Sequence, residues 1–388
     1  MVFPHSPGEP GSEPSLAEKA REFADRVARP TTADRDRARQ WDPALFAELA
    51  GARTGPGLAG PLVPRHLGGG GLSAVQTCAL LQGLGEGARD PGLALATAVH
   101  AVLATVPLRV FGTARQQQRY LPRMASGQWR GALSLHQTQG AALAPAVTVR
   151  SAADGRVLNG ELELVAGAPQ AHHFLIVADE LGGGGRTAFV VDRATAGVRV
   201  TETRSEAMRT CPWGRLTLDD CHVPDDAVLG TPRGAATEVE PLLAALDWVF
   251  CSAPWLGVMR ALTRDAVDHA REHRLFGRPL SHGQSARLTL ADMATRCELA
   301  AVLLHRAAEQ FDGGGRPSQR DAASARLFTA RAARTVVEGA AGLAPAGLLT
   351  GGDGLIGRAH RDALFLATVG GGDEVLRPVI AASELELG

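Results

Sequence analysis

The residues with the chemistry to act are scattered along the chain rather than clustered. His172 and His173 are adjacent, and at the entry to a strand adjacent side chains leave on opposite faces, so the pair is not expected to share a metal ion. Cys78, Cys211, Cys221, Cys251 and Cys297 are odd in number, far apart and free of CxxC or Cys–His spacing. That pattern fits buried thiols in a reducing compartment better than disulfides or zinc, and the cytoplasm is the expected location. Trp248 and Trp255 fall on one face if a single helix carries both, as core or as a pocket wall. Asp373 and Glu374 read as first-turn acids that complement a helix dipole. No GxGxxG run follows a strand, and no bound metal is expected. What these residues can do depends on the elements that bring them together.

The 388-residue chain carries 40 Lys+Arg against 41 Asp+Glu, a formal net charge of −1, and 45% of it is hydrophobic. A balanced charge with no basic, aromatic-interleaved run argues against nucleic acid. The apolar run 93–106 is broken by His100 and closed by Pro107, short of a membrane span, and the polar, Pro/Gly-rich first residues do not read as a signal segment. Residues 1–128 pattern as helices, with Asp42-Pro43 opening one and the glycine run 68–71 reading as a flexible joint. Residues 129–234 change period. Short β-rich runs at 146–150, 157–165, 173–178, 188–192, 198–203 and 215–218, separated by turn clusters at 153–155 and 182–185, predict a small barrel or sandwich. Residues 235–388 return to long helical patterns at 236–253, 257–273, 284–311, 320–341, 357–368 and 373–385, whose short connections predict an antiparallel bundle. The expected class is α+β, mostly α.

Several local motifs sit in this frame: Trp41-Asp42-Pro43-Ala44-Leu45-Phe46, Phe111-Gly112-Thr113 running on through Arg119-Tyr120-Leu121-Pro122, Phe276-Gly277-Arg278-Pro279-Leu280 with Gln284, and Leu290-Ala291-Asp292-Met293. Together with the order helical, β, helical, they resemble the acyl-CoA dehydrogenase family over essentially the whole chain. The resemblance implies an N-terminal helical domain, a middle β domain and a C-terminal four-helix bundle, FAD held between the β part and the bundle, a Glu that removes the α-proton of an acyl thioester while the β-hydride leaves to the flavin, and a homodimer or homotetramer.

Of the flavin-binding set that the resemblance implies, this chain keeps Phe276, Gly277, Gln284 and Gly342. Elsewhere it departs. The loop usually reading LTEPxAGSD has His136 for its Thr, Ala142 for its Ser and Leu143 for its Asp, and the WITN wall is Leu164-Val165-Ala166-Gly167. A phosphate-binding Arg is replaced by His273, and the Gln of QxxGG by Glu338, placing a carboxylate near the expected pyrophosphate. The Glu of YEGT is Gly370, followed by Gly371 and Gly372. Some members of the family place the base on an earlier helix, at the position that is Asp247 here, followed by Trp248 where the family usually has Arg. Asp247 is therefore the expected base or else a solvated helix carboxylate. His136 is an acid, base or oxyanion donor on the vacated flavin side, or an ordinary loop histidine. Glu338 is a pocket acid, or a helix cap or ion-pair partner.

Three functions are expected in this order. The first is an enzyme that has lost FAD, binds no cofactor, and runs a redox-neutral cyclisation, elimination or isomerisation on an acyl or polyketide-like biosynthetic intermediate, free or carrier-bound. The second is an FAD-dependent acyl-thioester dehydrogenase using Asp247. The third is a non-catalytic subunit that supports an active homologue.

Overall fold

The computed structural model describes residues 15–51, 55–139, 146–314, 317–344 and 354–385. The helices α1 (Leu16–Val27), α2 (Thr32–Ala38), α3 (Pro43–Ala50), α4 (Ala74–Ala88), α5 (Pro91–Ala98), α6 (Thr105–Phe111) and α7 (Ala114–Ala125) come first. Their starts are written in the sequence. Ser15, Ser73 and Thr113 close capping boxes with Glu18, Gln76 and Gln116, and Asp42 and Asp90 cap helices whose first residue is proline. A π-helical turn, Val99–Ala104, joins α5 to α6. The glycine run 68–71 is not a joint. The Gly69, Gly70 and Gly71 N–H groups donate to the carbonyls of Pro64, Gly60 and Val63, and a Cβ on Gly69 would lie 2.2 Å from the Val63 carbonyl oxygen. Glycine is there because the chain folds back on itself too closely for a side chain.

The middle strands β1 (Gly131–Ser134), β2 (Val147–Ala152), β3 (Gly155–Ala166), β4 (His173–Glu180), β5 (Arg186–Asp192), β6 (Val198–Thr203), β7 (Trp213–Val223) and β8 (Val228–Leu229) form one mixed sheet of order β6-β7-β3-β1-β4-β5-β8, with β2 also beside β3 and β4. The position of β2 explains the site. β1 pairs with the end of β3 and the start of β4, whereas β2 pairs with the start of β3 and the end of β4. Both are parallel to β4, so they are two lengths of one interrupted strand. Between them the chain leaves the sheet, and the turn Leu135–Thr138 is the first part of that departure. The sheet encloses its own core, with Val147, Leu158, Phe174, Ile176 and Phe189 buried.

The third part holds α8 (Val239–Phe250), α9 (Ala253–Glu272), α10 (Gln284–Asp312), α11 (Gln319–Leu343), α12 (Leu355–Thr368) and α13 (Asp373–Glu384), with a hairpin, β9 (Arg274–Leu275) and β10 (Arg278–Pro279), after α9. One apolar core runs from the first helices into this bundle. The seam is tight: a Cβ on Gly85 of α4 would sit 2.0 Å from the Pro254 carbonyl oxygen, and one on Gly257 of α9 would sit 2.0 Å from that of Gln82. The runs 91–111 and 239–272 are long and apolar enough by composition to cross a membrane, and both are packed inside the protein, where core helices need that apolarity.

Candidate active site

Asp247 lies on α8, among residues that are nearly all buried, and is itself 2% exposed. A bare carboxylate there would be costly, and the surroundings supply partners. The Thr138 hydroxyl, carried by the turn that interrupts the sheet, donates to Asp247 Oδ2 at 2.7 Å. The Cys251 thiol, one helical turn further on, hydrogen-bonds the same carboxyl group, and Arg326 of α11 adds a positive charge. Burial pushes the Asp247 pKa up, and Arg326, Thr138 and Cys251 pull it back. The net effect is a carboxyl pKa above the ordinary Asp value, with burial the dominant cause.

The opposite wall is the glycine loop after α12. A Cβ on Gly370 would fall 2.0 Å from Asp247 Oδ2, and Gly370 has φ +80°. The two positions between which the base was expected to move thus converge on one volume. Asp247 fills it, and only a residue without a side chain fits opposite. Trp248 Nε1 donates to the Gly370 carbonyl at 2.6 Å and Arg326 Nη2 to the Val369 carbonyl at 2.6 Å, which pins the loop. Leu95, Leu135, Trp255, Phe365 and Leu366 line the rest of the cleft, whose free volume of about 10 Å³ admits about one water molecule. Trp248 and Trp255 fall on successive helices, α8 and α9, one holding the loop and the other walling the cleft.

Gln137, beside Thr138, does a strand's work. Its side-chain amide donates to the Val177 carbonyl at 2.7 Å and accepts from the Val177 N–H at 3.2 Å, meeting the bonds that β4 loses where the neighbouring strand is interrupted. That anchor places Thr138 under Asp247. His136 is half-buried on the same turn, with its N–H bonded to Ser134 Oγ, but does not line the Asp247 cleft. Ala142 and Leu143 lie outside the described residues. Glu338 is exposed on α11 and does not line the cleft either. His172 is exposed and His173 buried, so the two do leave on opposite faces. Among the described residues no three His, Cys, Asp or Glu side chains are grouped to hold a metal ion.

The residues retained for a flavin dinucleotide stand outside the cleft. Phe276, at the tip of the β9–β10 hairpin, is 97% exposed with φ +50°, a ring held clear of its own chain in a backbone conformation that costs energy. A Cβ on Gly277 or Gly342 would meet nothing within 4 Å, and Gln284 is exposed at the start of α10. These four positions are open to solvent, with nothing of this chain standing in the way of a bound group.

Family models for the N-terminal, middle and C-terminal domains of acyl-CoA dehydrogenase match residues 12–128, 136–221 and 249–385. The chain belongs to the acyl-CoA dehydrogenase family. It is 33% identical over 297 residues to the L-prolyl-[peptidyl-carrier protein] dehydrogenase of Pseudomonas fluorescens, covering 75% of each chain. It is 32% identical to the benzylmalonyl-CoA dehydrogenase of Aromatoleum aromaticum, over 92% of this chain and 94% of that one. The prolyl acyl carrier protein oxidase AnaB superposes with a TM-score of 0.86 at 26% identity, covering 97% of this chain and all of that one. PigA, solved as an FAD complex, shares the fold with a TM-score of 0.87 at 23% identity.

These relatives correct the expectation of an enzyme without a cofactor. The relatives at 33% and 32% identity are dehydrogenases and the neighbour at 26% is an oxidase, and removing hydrogen from a substrate needs an electron acceptor; PigA, of the same fold, was solved with FAD. The redox-neutral reading finds no support among these relatives, which favour the FAD-dependent alternative instead. The error has a physical origin. Glu338 was expected to set a carboxylate near pyrophosphate, and in this chain it is exposed, where water and salt screen its charge. Missing side chains at 136 and 164–167 do not remove backbone donors, which any residue except proline supplies. Thr138, Gln137 and Arg326 escaped the sequence reading because each is a common residue made significant only by a distant partner.

Proposed function

We propose that the protein is an FAD-dependent dehydrogenase of acyl thioesters, carried on CoA or on a carrier protein, with Asp247 as the base. The observation that carries this reading is the buried Asp247 carboxylate, held by Thr138 against a glycine loop that can hold no side chain there. Asp247 takes the α-proton and keeps it as a carboxylic acid. Thr138 and Cys251 orient the carboxylate, and the apolar cleft walls exclude water from the developing enolate. Phe276, Gly277, Gln284 and Gly342 are the residues proposed to hold FAD, which when bound supplies the acceptor for the β-hydride. Exposed Leu288, Leu299 and Val302 on α10, with Phe276, support assembly as a homodimer or homotetramer.

The test is the spectrum of the purified protein. Flavin absorbance is expected, and it bleaches anaerobically when a short acyl thioester is added. Asp247→Asn retains the flavin and bleaches at least about a hundredfold more slowly, in line with the loss of a general base. A flavin-free protein, or bleaching of Asp247→Asn at the wild-type rate, overturns the proposal.

A further inference from the structure

Arg326 is a buried guanidinium, 2% exposed, on the cleft wall. Nη2 donates to the Val369 carbonyl at 2.6 Å, Nη1 reaches Ser252 Oγ only at 3.5 Å, and Nε has no partner. A buried cation is normally matched by a bonded carboxylate, as Arg35 is by Asp90 at 2.8 Å in the helical part of this chain. Among the described residues Arg326 has no such direct pair. The carboxylate that feels its charge is Asp247, on the same cleft. Among the described residues, Thr138 of the 135–138 turn, Arg326 of α11, the Gly370 backbone of the loop after α12 and Cys251, which follows α8, act on or close against Asp247, and the other cleft residues, from α5, α9, α12 and the Met208 segment, carry no charge. Of these groups Arg326 alone is charged, and the same guanidinium holds the loop that closes on the carboxylate.

We propose that Arg326 is the positioning residue of this site: it ties the 369–372 loop against Asp247 and, from across the cleft, keeps Asp247 a carboxylate able to accept a proton. The inference builds on the assignment of Asp247 as base, but the ionisation of that carboxyl can be followed without turnover. In an infrared difference titration, the protonated-carboxyl band that Asp247→Asn removes identifies Asp247. Arg326→Gln is expected to move its titration to higher pH by about one unit or more, a tenfold change in proton affinity. Arg326→Lys, which keeps the charge and loses the forked donor, is expected to titrate as wild type while reducing flavin more slowly. The acid limb of flavin reduction against pH follows the same shift in Arg326→Gln, whereas a purely structural loss would lower the rate equally at every pH. Unchanged Asp247 titration in Arg326→Gln overturns the proposal. So does a raised titration in Arg326→Lys, a comparison that stands even if Arg326→Gln does not fold. If no thioester bleaches the wild-type flavin, the dehydrogenase reading fails and the titration still decides the role of Arg326.

Discussion

At the scale of single residues, Asp247 and Gly370 are one arrangement described from two sides. In the sequence, Gly370 reads as a lost base and Asp247 as its possible replacement. In space, the 2.0 Å between a Gly370 Cβ and Asp247 Oδ2 makes the two carboxylate positions mutually exclusive. Gly370→Ala is therefore expected to lower kcat/KM by roughly a hundredfold, by displacing the base about 1 Å or more, and to destabilise the protein by about 1–3 kcal/mol through φ +80°. Gly370→Glu in the wild type is expected to be worse. The double variant Asp247→Gly, Gly370→Glu brings a carboxylate into the same space from the other wall, and is expected to regain part of the activity that Gly370→Glu lacks. Steady-state kinetics on the three variants checks the order. The positions were legible because a base is a recognisable residue type. Their contact was not, because nothing in the spacing from 247 to 370 reports a shared volume.

Among the elements, the interrupted strand between β3 and β4 is what delivers Thr138 to Asp247. The long strands and helices were legible from their periods, and the six expected β runs fall on β2 to β7. β1 escaped because Gly131-Ala132-Leu133-Ser134 has no β-branched residue and is buried on both faces, so it shows neither composition nor alternation. With β1 unseen, the interruption was unseen too, and Gln137 looked like any loop glutamine. Gln137→Ala leaves the Val177 N–H and carbonyl buried without those partners, and is expected to cost about 1–3 kcal/mol in urea unfolding. It is also expected to slow flavin reduction, because Thr138 loses its anchor. An unchanged unfolding midpoint would show that water replaces the amide.

For the molecule as a whole, the junction between the first helices and the sheet sets a limit on acid stability. His100, on the π-helical turn, hydrogen-bonds the Met124 carbonyl through Nε2 and accepts from the Gly131 N–H. His173, on β4, packs against Tyr120 with both ring nitrogens unpartnered. Burial is the main cause of their lowered pKa values, about 4 for His100 and about 3 for His173. Arg130 and His172 add to it for His100, and His100, His172 and Arg119 for His173. Both are neutral in the folded protein and protonate more readily once unfolded. Their contribution to stability is full above the ordinary histidine value near 6.5, and is lost as pH falls from there toward 4 and 3. Between pH 7 and pH 5 the loss is expected to be about 2 kcal/mol for each, measurable as a falling urea midpoint that His100→Gln and His173→Phe flatten. Composition gave a balanced charge but could not locate these two imidazoles at a seam. The same burial has another consequence through sulfur. Cys78 in α4, Cys211 and Cys221 in the middle part, and Cys251 and Cys297 in the bundle are all free and enclosed, and burial raises every one of their pKa values, that of Cys221 to about 11. A thiol reagent in solution meets a reactive sulfur only when its surroundings open. The chain thus carries a native set of five opening clocks, distributed over all its parts, and the one at Cys251 runs at the speed with which the Asp247 cleft breathes.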